Sequence, residues 1–439
     1  MSKFLKRFLC NRVSAVSVLP INRCEMQSCL KHTLILFRCL GFFPVEGLTS
    51  SNAEDIRFKL KSFYSIYCAF SIMGQVTCLG LNIHCCFISD TLSTGSLINV
   101  FMFLATTCYA IILTKIARNW HHVVRKISKI EFNLKATRKT KNVHLGCNIF
   151  LYVTFTSLVV EKLIALLFFT KVARVCSEAY ETADDKWYII LKCLIPQHLN
   201  YSPYATWKFI IFRIVYIQAS ILSGVINTIV MCLSVYLISY FRDFNRIIKT
   251  RKNKSSQFWE KQRYIYTQLE NLVKIMNGQL NCLIMFSFLV YLFFICVQLF
   301  FVINSYSYRL QNCNERQLNE IMFSTEYILY FTTSTLLPIL RALVSWLLAA
   351  NVHIEAQKPL LYLHEVPDSN YNVDIQRFHL QILYCPISLS GSLFCITRNT
   401  ILKVVSKIIT YELVMLQLNK TSRLHIDLML ENENSTVAN

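Results

Sequence analysis

The sequence predicts an all-α, polytopic membrane protein with seven transmembrane helices, on three observations. Hydrophobic residues make up 54% of the 439 residues and charged residues only 16%, whereas soluble proteins carry about 25% charged residues. Apolar runs of about 20 residues recur along the chain, the length that a helix needs to cross about 30 Å of hydrocarbon. These runs lack the polar–apolar alternation of membrane β-barrels, so we expect helices.

Seven runs are long enough to be spans, at about 62–88, 95–115, 147–169, 209–240, 280–303, 321–350 and 398–418. A further apolar piece, about 378–394, contains Pro386, Gly391 and three serines. Because it is interrupted and polar, we expect a short helix there, outside the hydrocarbon and before the last span. The chain then divides into a terminal region, six spans, a linker with this short helix, a last span and a tail: 1–61, 62–350, 351–397, 398–418 and 419–439.

Basic residues are distributed unevenly between the two sides of the predicted membrane. Thirty lysines and arginines lie in the N-terminal region and three alternate connections, at 1–61, 115–146, 241–279 and 351–379, and nine lie in the other connections and the tail. Basic residues favour the cytoplasmic side. We therefore expect a cytoplasmic N-terminus and an extracellular C-terminus, the opposite of a G-protein-coupled receptor. The net charge of +20 reflects this topology, and we expect no nucleic-acid partner.

Two predicted cytoplasmic stretches, residues 119–134 and 258–280, space apolar residues at helical intervals with charges between them. They are expected to extend the neighbouring spans and to pack on one another below the membrane. The alternative is that they lie on anionic lipid as amphipathic helices.

The motifs argue against an enzyme. The chain has only nine glycines, no glycine-rich phosphate loop and no nucleophile motif of the Gly-x-Ser-x-Gly type. No metal-ligand spacing occurs, so we expect neither a metal nor a cofactor. A secondary transporter is disfavoured because no inverted repeat is visible.

Residues 410–418 read TYELVMLQL, which resembles the Thr-Tyr-(five mostly apolar)-Gln-Phe signature in the last helix of insect gustatory receptors. The preceding segment, SGSLFCITRNTILKVVSKII, is similar to the family pattern at four positions, Gly391, Phe394, Thr397 and Arg398. Near the N-terminus, LGFFPVEG at residues 40–47 resembles another family motif. Glu412, directly after Tyr411, is typical of the sugar-receptor subfamily, whereas Leu418 departs from the usual Phe.

The resemblance implies a sugar-gated, non-selective cation channel in the plasma membrane of taste neurons, on their sensory dendrites. It implies a homotetramer, or a heterotetramer with related receptors, whose last helices line a central pore. The implied partners are small-molecule sugars, membrane lipid and permeant cations. The alternatives are a gustatory receptor for bitter or other small molecules, and a seven-helix receptor signalling through a G protein.

The pore residues follow from helical geometry together with the family motif. At about 100° per residue, Thr410, Val414 and Gln417 share one stripe, and Leu418 lies one step round. Around a fourfold axis they would give an apolar ring that gates by dewetting and an amide ring that touches hydrated cations. The alternative is that Val414 and Leu418 pack on lipid or on a neighbouring helix.

Glu412 lies about 200° from Val414 and so points away from this stripe. We expect its carboxyl group to be buried against another helix, with Arg341 or Lys407 as partner. A selectivity ring in the pore is the alternative.

Sugars are bound by polar groups and aromatic faces in a concave pocket. Polar, charged and aromatic residues in the predicted outer halves of the spans are therefore the candidate ligand-binding residues: Glu161, Arg213, Tyr216, Tyr291, Gln298, Glu326 and Tyr330. The alternative is structural, since Glu161 and Lys162 can form an ion pair and tyrosine and glutamine often hydrogen-bond between membrane helices.

Overall fold

The computed structural model describes residues 24–50, 54–88, 94–138, 142–177, 206–250, 255–303, 321, 323–367, 371–414 and 417. Its helices in chain order are α1 Glu25–Cys39, α2 Phe63–Ile88, α3 Thr94–Leu134, α4 Val143–Ser177, α5 Thr206–Val225, α6 Asn227–Thr250, α7 Ser256–Ile303, α8 Thr325–Gln357, α9 Pro359–His364, α10 Val373–Tyr384 and α11 over residues 398–414. A 3₁₀ turn, Lys135–Thr137, follows α3, and two short strands, β1 Val45–Glu46 and β2 Arg57–Phe58, pair antiparallel between α1 and α2.

Six candidate membrane spans are long and apolar enough to cross a bilayer: Phe63–His84, Leu97–Leu134, Val143–Val172, Ile210–Thr250, Ser256–Gln298 and Thr325–His364. They coincide with the first six predicted spans. α11 covers residues 398–414 of the last predicted span, and residues 415, 416 and 418 lie outside the described residues. α11 is not among the six candidate spans. The seventh span and the orientation of the termini therefore stay predictions.

The chain forms two compact units. The first contains Met1–Val159, Ile195–Ser287 and Leu343–Thr397, and the second contains Val160–Leu194, Phe288–Ala342 and Arg398–Asn439. The described part of the second unit thus consists of the C-terminal part of α4, parts of α7 and α8, and α11. Five of the seven predicted ligand-binding residues, and the described pore residues, belong to it.

The first unit contains the long helical stretches that were predicted to be cytoplasmic. Trp120 in α3 and Trp259 and Tyr266 in α7 are buried, and the Tyr266 hydroxyl donates to the carbonyl of Ala356 in α8. Large aromatic side chains dominate this packing, which is the usual way to stabilise helices through an apolar face.

A buried carboxylate fixes the start of α1 in the same unit. Glu131 of α3 accepts hydrogen bonds from the backbone amides of Glu25 and Met26, at 2.8 and 2.9 Å. These amides have no partner within a helix, and a carboxylate is favoured at the positive end of the helix dipole. Tyr236 of α6 donates its hydroxyl to the same carboxylate at 2.6 Å, so three helices meet at Glu131.

Two predicted elements differ from the structure. The predicted span over 209–240 is divided at Ile226 into α5 and α6. The predicted short helix over 378–394 is wrong in its bounds, since α10 ends at Tyr384 and residues 385–397 form a non-helical segment. Pro386 has no amide hydrogen to donate. The segment is instead held by an isolated bridge between Ser390 and Cys395.

The end of α1 and the β1–β2 pair explain the two glycines of LGFFPVEG. Gly41 follows the last turn of α1, where its amide donates to the carbonyl of Arg38, and Gly47 directly follows β1. Gly41 and Gly47 have φ of 79° and 75°, a region that L-residues rarely adopt. Phe42, Phe43 and Val45 between them are buried, and the ring of Phe43 packs edge-on against Trp120 at 5.8 Å. The motif is therefore a structural element that joins α1 to α3.

Gly47→Ala is expected to destabilise the protein. A Cβ at this position would collide with the carbonyl oxygen of Asp55, and a left-handed conformation alone costs an L-residue about 1–2 kcal/mol. Thermal unfolding of the detergent-purified chain should show a lower Tm for Gly47→Ala. The matched control is Gly80→Ala in α2, where nothing lies within 4 Å of the added methyl group. Equal Tm values for the two variants would contradict this account of the hairpin.

Candidate functional site

The segment before α11 is fixed by side chains of the first unit. Asn277 of α7 donates to the carbonyl of Ser388 at 2.9 Å and accepts from the amide of Ser390 at 3.3 Å. His353 of α8 lies 3.0 Å from the carbonyl of Ile387. Together these contacts determine where the backbone stands shortly before α11 begins.

Gly391, from the gustatory-receptor pattern, allows the same segment to approach α7 closely. A Cβ there would lie 3.1 Å from the Cβ of Met285 and 3.4 Å from the ring of Phe394. Thr397 and Arg398 follow, at the last position before α11 and its first residue. The pattern therefore marks the connection that leads into the last helix.

α11 is exposed around most of its circumference in the single chain. Thr410, Val414 and Gln417, the predicted pore stripe, are all exposed, whereas Ile401 and Ile408 are buried. Leu418 lies outside the described residues. The stripe is available to neighbouring subunits or to a pore, but Tyr411 and Leu413 are exposed as well. Exposure therefore does not single out this stripe, and its pore role stays a prediction.

Glu412 continues the buried side of α11. It follows Ile401 and Ile408 at helical spacing, is half-buried, and lies close enough to Cys296 of α7 for electrostatic interaction. Its Oε2 is buried and has no hydrogen-bond partner among the described residues. The predicted burial against another helix agrees with this placement.

The predicted partners of Glu412 are wrong for the described part of the chain. Arg341 forms its salt bridge with Glu161 instead, and no salt bridge there joins Glu412 to Lys407 or to another cation. The sequence could not show this, because the pairing depends on which helix faces lie together.

A buried ion pair lies within the second unit. Nη2 of Arg341 in α8 is 2.7 Å from Oε2 of Glu161 in α4, and their side chains are only 9% and 13% exposed. Lys162 approaches the other carboxylate oxygen at 3.6 Å. The buried ring of Tyr291 in α7 lies within electrostatic range of both charges. Charged groups buried within membrane helices are rare and usually functional.

Gln298 links α7 to α8. Its amide nitrogen donates to the hydroxyls of Ser334 and Thr335, at 3.2 and 3.3 Å. These two hydroxyls also donate to the carbonyl of Phe331 in their own helix, so the amide adds an inter-helix connection to them. An amide and two hydroxyls are the groups with which sugar hydroxyls exchange hydrogen bonds.

An aromatic cluster lies beside a second ion pair in this unit. The rings of Phe168 in α4 and Tyr330 in α8 are stacked at 4.7 Å with 5° between their planes, and Tyr327 packs against Phe168 at 5.8 Å. Glu326 and Lys171 form a salt bridge at 2.7 Å that is partly exposed. Aromatic faces next to charged and polar groups are the components of a sugar site.

Arg213 and Tyr216 belong to the first unit. The guanidinium of Arg213 lies 5.5 Å from the ring centroid of Tyr216, which packs against Phe103 of α3 at 6.2 Å. The structure therefore does not unite all seven predicted ligand-binding residues in one cluster. It groups the five residues Glu161, Tyr291, Gln298, Glu326 and Tyr330 within the second unit and leaves Arg213 and Tyr216 in the first.

Some polar and aromatic contributors were not selected from the sequence as ligand-binding residues. In the second unit these are Phe168, Lys171, Ser334, Thr335 and Arg341. Their residue types were visible, but serine and threonine usually satisfy themselves within a helix, and a phenylalanine in a span looks like ordinary apolar surface. Within the described residues, no group of three or more His, Cys, Asp or Glu side chains is arranged to hold a metal ion.

Comparison with known proteins gives a consistent result. The sequence profile of the trehalose receptor family matches residues 22–426. Among curated relatives from Drosophila melanogaster, gustatory receptor for sugar taste 64f is 24% identical over 398 residues, covering 89% of this chain and 80% of the relative. Gustatory receptor for sugar taste 64b is 25% identical, covering 88% and 93%, and gustatory receptor 5a for trehalose is 22% identical, covering 89% and 84%.

Among solved structures, the insect olfactory receptor OR5 from Machilis hrabei has a similar fold, with a TM-score of 0.60 at 12% identity, covering 90% of this chain and 99% of that one. Its complex with eugenol gives a TM-score of 0.57 at 11% identity. The fold is thus that of an insect chemosensory receptor, and the family match over most of the sequence shows that the chain belongs to the trehalose receptor family, the sugar-taste branch of the insect gustatory receptors.

Proposed function

We propose that the protein is a sugar-gated, non-selective cation channel of taste neurons, in the plasma membrane of their sensory dendrites, working as a homotetramer or with related receptors. The observation that carries the proposal is that α11 shares one compact unit with the polar and aromatic residues of α4, α7 and α8. A ligand that rearranges these residues then acts within the same unit as the helix proposed to line the pore. The sugar-taste relatives support the ligand class.

Ligand binding is proposed to act through hydrogen bonds that already exist in the unit. Sugar hydroxyls would replace or extend the contacts of Gln298 with Ser334 and Thr335 and those of the Glu161–Arg341 pair, while the Phe168–Tyr330 stack offers an apolar face. Glu412 of α11 lies near Cys296 of α7. A displacement of α7 would therefore directly change the contacts that α11 makes.

The direct test is calcium imaging of cells that express the chain, alone and with related receptors. A panel of mono- and disaccharides should raise intracellular calcium, and bitter compounds should not. A response to bitter compounds with none to any sugar would overturn the proposed ligand class.

The proposed orientation has its own test. Because basic residues are concentrated on one predicted side, a tag before Met1 should be labelled only after permeabilisation and a tag after Asn439 on intact cells. The reverse pattern would contradict the channel topology.

Gln298→Ala should shift the sugar dose–response to higher concentration at matched surface expression. Loss of a hydrogen bond to a buried group costs about 1–3 kcal/mol, on the order of a 5- to 150-fold loss of affinity. Glu326→Ala, which frees Lys171, should act in the same direction. The control is Thr333→Ala, because within the described residues the Thr333 hydroxyl donates only to carbonyls of its own helix. If Gln298→Ala and Glu326→Ala match this control, the pocket lies elsewhere.

A further inference from the structure

A basic surface lies where β2 meets α3 in the first unit. Arg118, His122 and Arg125 follow one another along an exposed face of α3, and Trp120 and Val124 on its other side are buried. β2 packs against α3, and its exposed Arg57 lies close enough to His121 for their charges to interact.

The depth of this surface is set by contacts between α2 and α3. Sγ of Cys68 in α2 lies 3.6 Å from Oγ1 of Thr114 in α3, and the two helices run antiparallel. Phe63, five residues before Cys68, is therefore level with Arg118, four residues after Thr114. Phe63 also begins the first candidate span. The basic residues thus lie at the membrane boundary, beside the end of the first candidate span that begins at Phe63.

The positive charges of this surface are not neutralised within the described chain. No salt bridge there involves Arg57, Lys61, Arg118 or Arg125, and Lys61 is exposed. The nearby carboxylate of Glu46 is already bound, by Lys59 at 2.8 Å and by Ser62 at 2.7 Å. The hydrogen bond from Lys59 lowers the pKa of Glu46, so this carboxylate stays ionised and paired.

The other two carboxylates of this connection do not balance the cluster. Asp55, which accepts a hydrogen bond from the Ser50 hydroxyl, and the exposed Glu54 supply two negative charges against the four positive charges of Arg57, Lys61, Arg118 and Arg125. On α3, the stretch from Lys115 to Lys129 contains no acidic residue. The surface therefore keeps an excess of positive charge.

Apolar side chains lie beside the charges. Leu60 and Phe63 are 72% and 76% exposed and flank Lys61 in the sequence. Exposed apolar groups next to an array of arginines suit a phosphorylated lipid. Its acyl chains cover the apolar side chains, and its phosphate oxygens bind the guanidinium groups.

We infer that Arg57, Lys61, Arg118, His122 and Arg125 bind the headgroup of a polyphosphorylated inositol lipid in the cytoplasmic leaflet. Several cations at one place match a multiply charged headgroup better than the single net charge of phosphatidylserine. The inference rests on the proposed orientation of the chain and is independent of its ligand and of conduction.

The test is native mass spectrometry of the detergent-purified full chain with dioctanoyl phosphatidylinositol 4,5-bisphosphate. Dioctanoyl phosphatidylserine and inositol 1,4,5-trisphosphate are the other two arms. We expect saturable binding of the bisphosphate lipid and much weaker binding of both alternatives. The double variant Arg57→Gln/Arg118→Gln should bind this lipid on the order of 25-fold more weakly, about five-fold for each basic residue removed near an anionic lipid.

The matched control is Arg246→Gln/Lys249→Gln. It removes two exposed basic residues of α6 that lie on the same predicted side of the membrane, away from the cluster in sequence, and it should leave lipid affinity unchanged. Equal losses in the two double variants would overturn the site in favour of general attraction to basic residues. Equal binding of phosphatidylserine or of inositol trisphosphate would overturn the assigned ligand. Because no sugar or current enters the assay, failure of the proposed channel function leaves its result unaffected.

Discussion

Val414→Ser is expected to produce a channel that conducts cations in the absence of sugar. Val414 lies on the exposed stripe of α11, and a tetramer repeats the substitution four times around one axis. An apolar constriction stays closed by dewetting only while its walls are apolar, so four hydroxyls should hydrate it. Val414→Phe should instead narrow the pore and reduce the sugar-evoked current.

The matched control is Leu413→Ser. Leu413 is adjacent and similarly exposed, at 55% against 44% for Val414, but it lies about 100° away around the helix. Resting current is recorded for both variants at matched surface expression. If Leu413→Ser leaks and Val414→Ser is silent, the pore stripe runs along another face of α11.

Glu161→Ala is expected to remove most of the receptor from the cell surface. It leaves Arg341, whose side chain is only 9% exposed, as a buried charge without its carboxylate. Breaking a buried pair in this way costs about 3–5 kcal/mol, a large part of the roughly 5–15 kcal/mol by which proteins are stable. Surface biotinylation measures the loss.

The double variant Glu161→Met/Arg341→Met separates folding from ligand binding. Replacing both charges by apolar side chains of similar size is often neutral or stabilising, so surface expression should recover. Because the pair is proposed to bind sugar, the recovered receptor should not respond to it. A normal dose–response in the double variant would show that the pair serves only the structure.

Much of the fold was predictable because its signals are local. Composition and run length predicted the six described spans, and helical spacing of apolar residues indicated the stretches of α3 and α7 beyond them. The division at Ile226 and the end of α10 at Tyr384 were not predictable in this way. They depend on tertiary contacts, such as the packing of Gly224 against Leu158 and the hydrogen bonds of Asn277 to residues 388 and 390.

The types of residue in the candidate site were predictable from the sequence, but the partners with which these residues interact were less so. Polar residues within spans are conspicuous, and five of those selected lie in one unit. Arg341 was one of two candidate partners of Glu412, yet it pairs with Glu161, because sequence shows which charges a span carries and not which neighbouring helix they face. Gln298 was selected without its acceptors, since Ser334 and Thr335 look like residues that bond within their own helix.

Currents from excised outside-out patches test the central claim most directly, because such patches contain the channel without the cytosol. Patches from cells that express the chain, alone or with a related receptor, are exposed to sugars with no nucleotide in the pipette. We predict a cation current that rises and falls with sugar application and that shifts with Gln298→Ala as the whole-cell response does. A sugar response present in intact cells and absent from every patch, or restored only by GTP, would show that the protein signals through a G protein and does not itself form the channel.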